Sequence, residues 1–461
     1  MKMLLSNCTV FAHDLGTTRY DIGEVRSAVS GLLQGILGSD AANPLRGFVR
    51  EGDTVLLKPN MIRQSHLYNE SWEQVVTHGT VIRAVADLCC EALNGTGRLV
   101  IGDGPQNDAD FEAIRRILGL DELEDHCGRR LGRKVDVYDF RVEKWLRGVD
   151  GVTTEKIPLA GDPHGFVGFD LADRSEFTES RDYYGADADF RETQRHHGGG
   201  ANRYLLSKTP LEADVFINLP KLKTHKKTGA TLSLKNLVGI HGHRNYLPHH
   251  VMGTPRRGGD EYPDASLMNE VQGIATRALK KVLARQGGKG GPLTRAVKNL
   301  GYRFFGSTEK VVRSGNWHGN DTTWRMVLDL NKILLYGDAS GTLSDRMGPR
   351  KYLSIVDGIV GGEGNGPLAP DPRPCGLLIG GVNPVAVDCV CARLMGFDVA
   401  KIPMLRNAFS IGRLPLVDFS DRDIDVRSNR DAFNRPLHSI RKEDVFRFEP
   451  HFGWKGHIEL E

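Results

Sequence analysis

The densest chemical signal in the chain is Asn218-Leu-Pro-Lys221-Leu-Lys223-Thr-His225, followed by Lys235-Asn236-Leu-Val-Gly239. An ammonium group is a compact point charge with three donors. Lysines gathered behind an apolar stretch therefore suit the capture of a phosphate or carboxylate. A charged run is more often a solvated face. Here Pro220 stiffens the backbone and the run starts where apolar Val215-Phe-Ile217 ends, which favours Lys221 and Lys223 over Lys226 and Lys227 as ligand contacts. Lys58-Pro59-Asn60 repeats the arrangement after Thr54-Val-Leu-Leu57. An ordinary turn is the bland explanation there, since Pro and Asn form turns for local reasons. The substrate-binding set read from these segments is Lys58, Asn60, Asn218, Lys221, Lys223, Lys235, Asn236 and His241.

Carboxylates recur at comparable places. Asp103 sits in Gly102-Asp-Gly-Pro105, Asp357 precedes Gly358, and Asp329-Leu-Asn331 reads as a third acidic turn after Val327-Leu328. Asp103 and Asp357 could serve as general bases or hold a divalent cation such as Mg2+, and His225 as acid or base. Asp-Gly turns held by their own side chains are an equally good explanation. Gly361-Gly-Glu-Gly-Asn-Gly-Pro367 could wrap an anion with backbone N–H groups or form a flexible lid. It lacks the Gly-Lys-Ser/Thr ending of a P-loop and opens no Gly-x-Gly-x-x-Gly helix, so no nucleotide is implied and the cofactor stays unassigned. Seven of the sixteen histidines fall between His196 and His250. They lack the His-Glu-x-x-His pattern of a zinc site, and only His225 and His241 are expected in the site.

The elements that must carry these residues alternate. Apolar strands at 54–57, 98–101, 135–138, 214–217, 354–356 and 377–379 each end in a polar turn, with helices expected at about 79–93, 111–118 and 385–395. This rhythm predicts an α/β fold, a mostly parallel sheet built of βαβ units with helices on both faces. In such sheets ligands bind beyond the carboxyl ends of the strands. Two stretches, 141–202 and 245–321, break the pattern and read as insertions. The organisation expected is one elaborated α/β unit, possible lobes being 1–140 and 203–461.

The 461 residues carry 61 basic and 58 acidic side chains, a formal charge of +3, which argues against a dedicated nucleic-acid binder. No stretch approaches the about 20 apolar residues of a transmembrane helix. Seven scattered cysteines without Cys-x-x-Cys spacing read as reduced thiols and a cytoplasmic location, with no iron–sulfur fingerprint. Between Arg277 and Arg313 lie ten Lys/Arg and a lone acid, Glu309. Leu293, Val297, Leu300 and Phe304 recur there at helical spacing. This segment reads as an amphipathic insertion, with an anionic surface as its alternative partner.

Taken in order, Lys58-Pro-Asn, Gly102-Asp-Gly-Pro, Asn218-Leu-Pro-Lys-Leu-Lys-Thr-His, Lys235-Asn-Leu-Val-Gly, Val356-Asp-Gly and Asn383-Pro-Val-Ala-Val-Asp388 with Leu394-Met-Gly396 resemble the DUF362 family, whose function is undefined. The resemblance spans about residues 50–410 and implies an α/β fold with a shared site. Many members carry a ferredoxin-like cysteine segment that this sequence lacks. The expected function is a non-redox enzyme (lyase, isomerase or group transfer) acting on a small anionic, phosphate- or carboxylate-bearing substrate, with homo-oligomerisation compatible. One alternative is a non-catalytic anion-binding or assembly module using the basic 277–313 helix. Another is a metal-dependent or redox protein using the His-rich segment 196–250.

Overall fold

The computed structural model describes residues 2–132, 135–148, 152–185, 189–285 and 311–461. Strands follow in the order β1 (Thr9–Asp14), β2 (Thr54–Pro59), β3 (Arg98–Asp103), β4 (Asp136–Asp139), β5 (Glu143–Arg147), β6 (Thr153–Pro158), β7 (Phe166–Asp170) and β8 (Tyr183–Tyr184). They continue with β9 (Arg203–Ser207), β10 (Val215–Leu219), β11 (Lys221–His225), β12 (Gly229–Ala230), β13 (His250–Val251), β14 (Lys351–Asn365), β15 (Ala369–Gly381) and β16 (Asp425–Ser428).

One ten-stranded sheet organises the chain in the order β16-β1-β15-β14-β10-β2-β3-β4, with β11 on β14 and β12 on β11. Strands β14, β10, β2, β3 and β4 run parallel, whereas β15 is antiparallel to both β1 and β14. The parallel strands are apolar on both faces, as burial from both sides requires. Val55, Leu57, Ile101, Val215 and Ile217 join one core with the helices Ile22–Leu37, Gly79–Leu93, Phe111–Leu118 and Leu120–Leu131. Leu56, Val100, Phe216 and Val356 join the other, with Leu232–Asn236, Thr323–Tyr336, Pro384–Met395 and Pro403–Ala408. Local chemistry sets the helix ends. Asp21 accepts from the N–H groups of Gly23 and Glu24, and Gly38 closes that helix at φ 60. The expected α/β architecture with helices on both faces is the one observed.

The 141–202 stretch forms β5–β6 as one small sheet, and its β7 and β8 pair with β9 and β13. Three local readings are corrected. Lys221–His225 is no turn but a strand, paired in parallel with β14 at Lys221 and Lys223. Asp329-Leu-Asn331 lies inside the helix Thr323–Tyr336, which is buried nearly all round, with apolar Trp324, Leu328, Ile333 and Leu335 flanking it on different faces. The glycine stretch belongs to the β14–β15 hairpin rather than a lid, and glycine is required where Gly361 approaches Phe448 and Leu222 O.

Of the basic segment, residues 277–285 end the helix Leu267–Arg285. The expected helical repeat Leu293–Phe304 lies outside the described residues. Leu267, Met268, Val271, Ile274 and Val282 of this helix are exposed, from 44% at Val282 to 81% at Leu267. Among the described residues no helix is long and apolar enough to cross a membrane.

Candidate functional site

Register alone brings the first residues together. Asn218 lies across from Lys58 and from Ser354, and Leu57 across from Ile101, so β10, β2 and β3 end side by side. Lys58 and Asn218 share the face of Leu56 and Phe216 by strand alternation. On that face the short helix Leu232–Asn236 delivers Lys235 and Asn236.

The side chains then form one continuous network. Lys58 Nζ lies 2.7 Å from Asp103 Oδ1 and donates to Asn236 Oδ1 at 3.0 Å and Pro59 O at 2.9 Å. Asp103 also accepts from the N–H groups of Met61 (2.7 Å) and Gly104 (2.9 Å). Asn236 donates to Lys58 O (3.1 Å) and Asn218 Oδ1 (2.7 Å), and its own Oδ1 accepts from Asn60 Nδ2 at 2.9 Å. Asn60 Oδ1 accepts from Lys223 Nζ at 2.9 Å, and Lys223 reaches Val75 O and Pro367 O as well. Asn218 Nδ2 donates to Ser233 O and to Tyr352 Oη. Lys58 and Lys223 thus spend all three N–H groups on protein oxygens. Burial lowers the pKa of both, against the pull of Asp103 on Lys58.

Gly239 makes this junction possible. A Cβ there would stand 1.8 Å from Asp103 Oδ1 and 2.7 Å from Lys58 Nζ, and its carbonyl already accepts from Gly104 N at 2.7 Å. Close backbone approach, not a left-handed turn, demands the glycine.

Lys221 belongs to a second centre. Its Nζ donates to Asp357 Oδ2 (2.8 Å) and to Tyr20 Oη (2.9 Å). Asp357 also accepts from Tyr20 Oη and from the N–H groups of His78 and Ile359. The His78 ring stacks on Tyr20 with centroids 3.6 Å apart, and Trp72 covers it at 4.9 Å. Burial drops the His78 pKa to about 4.

Lys235 differs from all of these. It is 8% exposed, and its Nζ makes no hydrogen bond or ion pair with the described residues. Burial, then the charges of Arg244 and Lys58, lowers its pKa to about 7. Arg244 donates to Asn107 Oδ1 and Pro105 O but meets no carboxylate among the described residues. His225 lies close enough that, after burial, Lys235 is the strongest influence depressing its pKa. Its Nδ1 accepts from the Lys227 N–H at 3.1 Å, which leaves the proton of the neutral ring on Nε2. His241 turns Nδ1 to Val238 O, and its Cε1 would lie 3.4 Å from a Cβ on Gly104. Every residue of the expected binding set is therefore buried. Lys58, Asn60, Asn218, Lys223, Asn236 and Asp103 share one network, Lys235 and His225 lie beside it, and Lys221 with Asp357 forms the adjoining centre.

Tyr20, His78, Arg244 and Asp388 were not picked out for the site by their residue types. Asp388 accepts from the N–H groups of Ser233 (2.7 Å) and Leu234 (2.9 Å), anchoring the start of the helix that presents Lys235. Asp388 stood in a recognisable motif, but Tyr20 and His78 had no signal, because only the fold brings them to Asp357. In the histidine-rich segment several rings make backbone and stacking contacts, whereas both ring nitrogens of His250 are buried without a hydrogen-bond partner. His197 pairs with Tyr246 O, His249 with Leu247 O, and His196 stacks on Tyr246. Among the described residues no group of three or more His, Cys, Asp or Glu is placed to hold a metal.

Comparison with known proteins gives two findings. The family described as Domain of unknown function (DUF362) matches residues 149–393. The "Thylakoid-associated protein sll1697" of Synechocystis sp. is 24% identical over 401 residues, covering 87% of this chain and 79% of that protein.

Proposed function

The chain belongs to the family described as Domain of unknown function (DUF362), and from that premise we propose that it is an enzyme binding a small phosphate- or carboxylate-bearing substrate beside Lys235. One observation carries this reading: Lys235 is a buried lysine that meets no carboxylate among the described residues. An isolated buried charge costs several kcal/mol, so the site gains most when an anion enters or the amine gives up its proton. Lys58 and Lys221 are balanced by Asp103 and Asp357, whereas Lys223, Lys235 and Arg244 have no such partner among the described residues. The excess is positive. Arg244 and Lys235 are the binding groups in this reading, and His225 is the acid or base.

A non-redox step (lyase, isomerase or group transfer) accords with a sequence that lacks nucleotide and cluster fingerprints. Asp103 and Asp357 hold ammonium groups and backbone N–H groups, so they fit poorly as Mg2+ ligands. We assign charge balance there to lysine. Seven free thiols support a cytoplasmic location.

Thermal unfolding in inorganic phosphate or citrate tests the reading. An anion that binds only the native state raises Tm in wild type, and Lys235→Gln removes the rise while the variant stays folded. An equal rise in both proteins would sink it.

A second reading is favoured by the apolar stripe on Leu267–Arg285. With Lys281 and Arg285 beside it, this stripe suits an anionic membrane surface. The Synechocystis relative, titled thylakoid-associated, is in keeping with such a surface. The chain would then work as a peripheral module, with or without catalysis.

A further inference from the structure

We propose that a cleft at the amino ends of the parallel strands, between the segment 46–51 and the end of the helix Gly79–Leu93, binds a small zwitterion, a free α-amino acid. This goes beyond the anion-binding reading and is independent of it, because Lys235 belongs to the carboxyl ends of the same strands. Within β2 alone, four residues at about 3.3 Å each put about 13 Å between Thr54, beside the cleft, and Lys58.

The cleft has a volume of about 360 Å3, and its lining includes Arg46, Val49, Arg50, Glu51, Ala92 and Asn94. Ligand sites run from about 300 to 1,000 Å3, so the occupant is small. Arg46 and Arg50 are exposed, and neither guanidinium makes a hydrogen bond or ion pair with the described residues. Glu91, which also lines the cleft, is already claimed. It accepts from Arg26 Nη2 (2.7 Å), Arg130 Nη2 (2.6 Å) and Asn43 Nδ2 (3.3 Å). Glu51 is not claimed in this way. Its Oε1 accepts from the Asn94 amide at 2.8 Å, and no described cation pairs with it.

The charges therefore come in both signs. Two unpaired guanidiniums attract a carboxylate, and their planar forks suit it. Glu51 attracts an ammonium, helped by the carboxyl end of the helix Gly79–Leu93, where aligned peptide dipoles leave partial negative charge beside Asn94. A plain anion would meet Glu51, and a plain cation would meet the two arginines. A molecule carrying both charges satisfies both, and buried Val49 and Ala92 offer apolar contact to its side chain.

The backbone that carries these groups is pinned. The Val49 N–H donates to Leu45 O (2.8 Å), and the Arg50 N–H donates to Asp53 Oδ2 (3.0 Å). Lys351 Nζ holds the same segment through Phe48 O (2.7 Å) and Asp53 Oδ2 (3.2 Å). The Gly52 N–H donates to Thr96 Oγ1 at 2.9 Å, and that hydroxyl donates to Leu93 O at 2.7 Å, which ties the segment to the helix end. A ligand then orders side chains and not the loop, which lowers the entropy it must overcome.

The test is thermal unfolding of the full chain with each proteinogenic L-amino acid, and with propionate and n-propylamine as probes that carry one charge each. At least one amino acid at about 10 mM should raise Tm by about 2 °C, and neither single-charge probe should match it. The double variant Arg46→Gln with Arg50→Gln should abolish the rise, and Glu51→Gln should lower it. These side chains are exposed, so the variants should keep the wild-type Tm without ligand. Lys235→Gln should keep the rise in full, which separates this cleft from the phosphate effect. Several results overturn the proposal: no rise with any amino acid, an equal rise with propionate, or a rise that survives in the double arginine variant. Loss of the rise in Lys235→Gln also overturns it, since the ligand would then sit in the other site.

Discussion

At the scale of single residues, the buried lysines divide into paired and unpaired cations, and the two kinds should respond oppositely to mutation. Lys58→Ala strands Asp103 in the interior, and loss of one member of a buried pair costs about 3–5 kcal/mol. Lys235→Gln removes a cation that nothing offsets, so the unliganded protein should lose little stability or gain some. Urea denaturation of both variants decides this, and equal losses would contradict the distinction. The sign of the pH dependence follows from the same contrast. Lys235 has a folded pKa of about 7 against an ordinary 10.5, so between those values the unfolded chain holds a proton the native chain lacks. Stability should therefore climb with pH in that window, by up to about 1.4 kcal/mol per pH unit from this group. The climb should shrink in Lys235→Gln and in phosphate, which restores the charged form. His225, His241 and His249 act at lower pH. Their pKa values are held well below 6.5 by burial, so stability is lost as pH falls below that value. Asp388, raised to about 7 by burial, opposes them between 3.8 and 7 and is spent above it, and above 9.0 the buried thiols of Cys89, Cys375, Cys389 and Cys391, pushed up by burial, oppose the lysines.

At the scale of elements, the five-residue helix Leu232–Asn236 is the hinge of the site. Leu232 stands at φ 50, a conformation that costs an L-residue with a bulky side chain, and the carboxylate of Asp388 compensates by binding the next two N–H groups. Asp388→Ala should therefore weaken phosphate-induced stabilisation although residue 388 touches no ligand. Isothermal titration with phosphate checks it, and unaltered affinity would remove the positioning role. Gly239→Ala should be worse for the network than for the rest of the fold. A methyl group there collides with Asp103 and Lys58 and separates β2 and β3 from the segment after the helix. A soluble variant that keeps wild-type phosphate binding would refute this account of the glycine.

At the scale of the whole molecule, the site lies at the carboxyl ends of parallel strands, while the exposed stripe of Leu267–Arg285 belongs to an inserted segment. The two surfaces should be separable. Val271→Asp with Ile274→Asp is expected to lower sedimentation with vesicles of anionic lipid and to leave the phosphate effect on Tm untouched. Wild-type protein that stays in the supernatant with such vesicles at low salt would dispose of the membrane reading.

Periodicity and turn residues in the sequence were enough to read the α/β class, the strands that end at the site, and the lysine, asparagine and aspartate positions that gather there. Apolar runs mark buried strands wherever they occur, and parallel strands direct their carboxyl ends to one edge. The sequence could not tell that Lys221–His225 is a strand, that Asp329 is helical, or that Tyr20 and His78 meet Asp357. Those outcomes depend on partners far along the chain. It also could not say which lysines were spoken for. Lys58, Lys221, Lys223 and Lys235 are equivalent as letters, and only packing decides which ammonium finds three acceptors and which finds none.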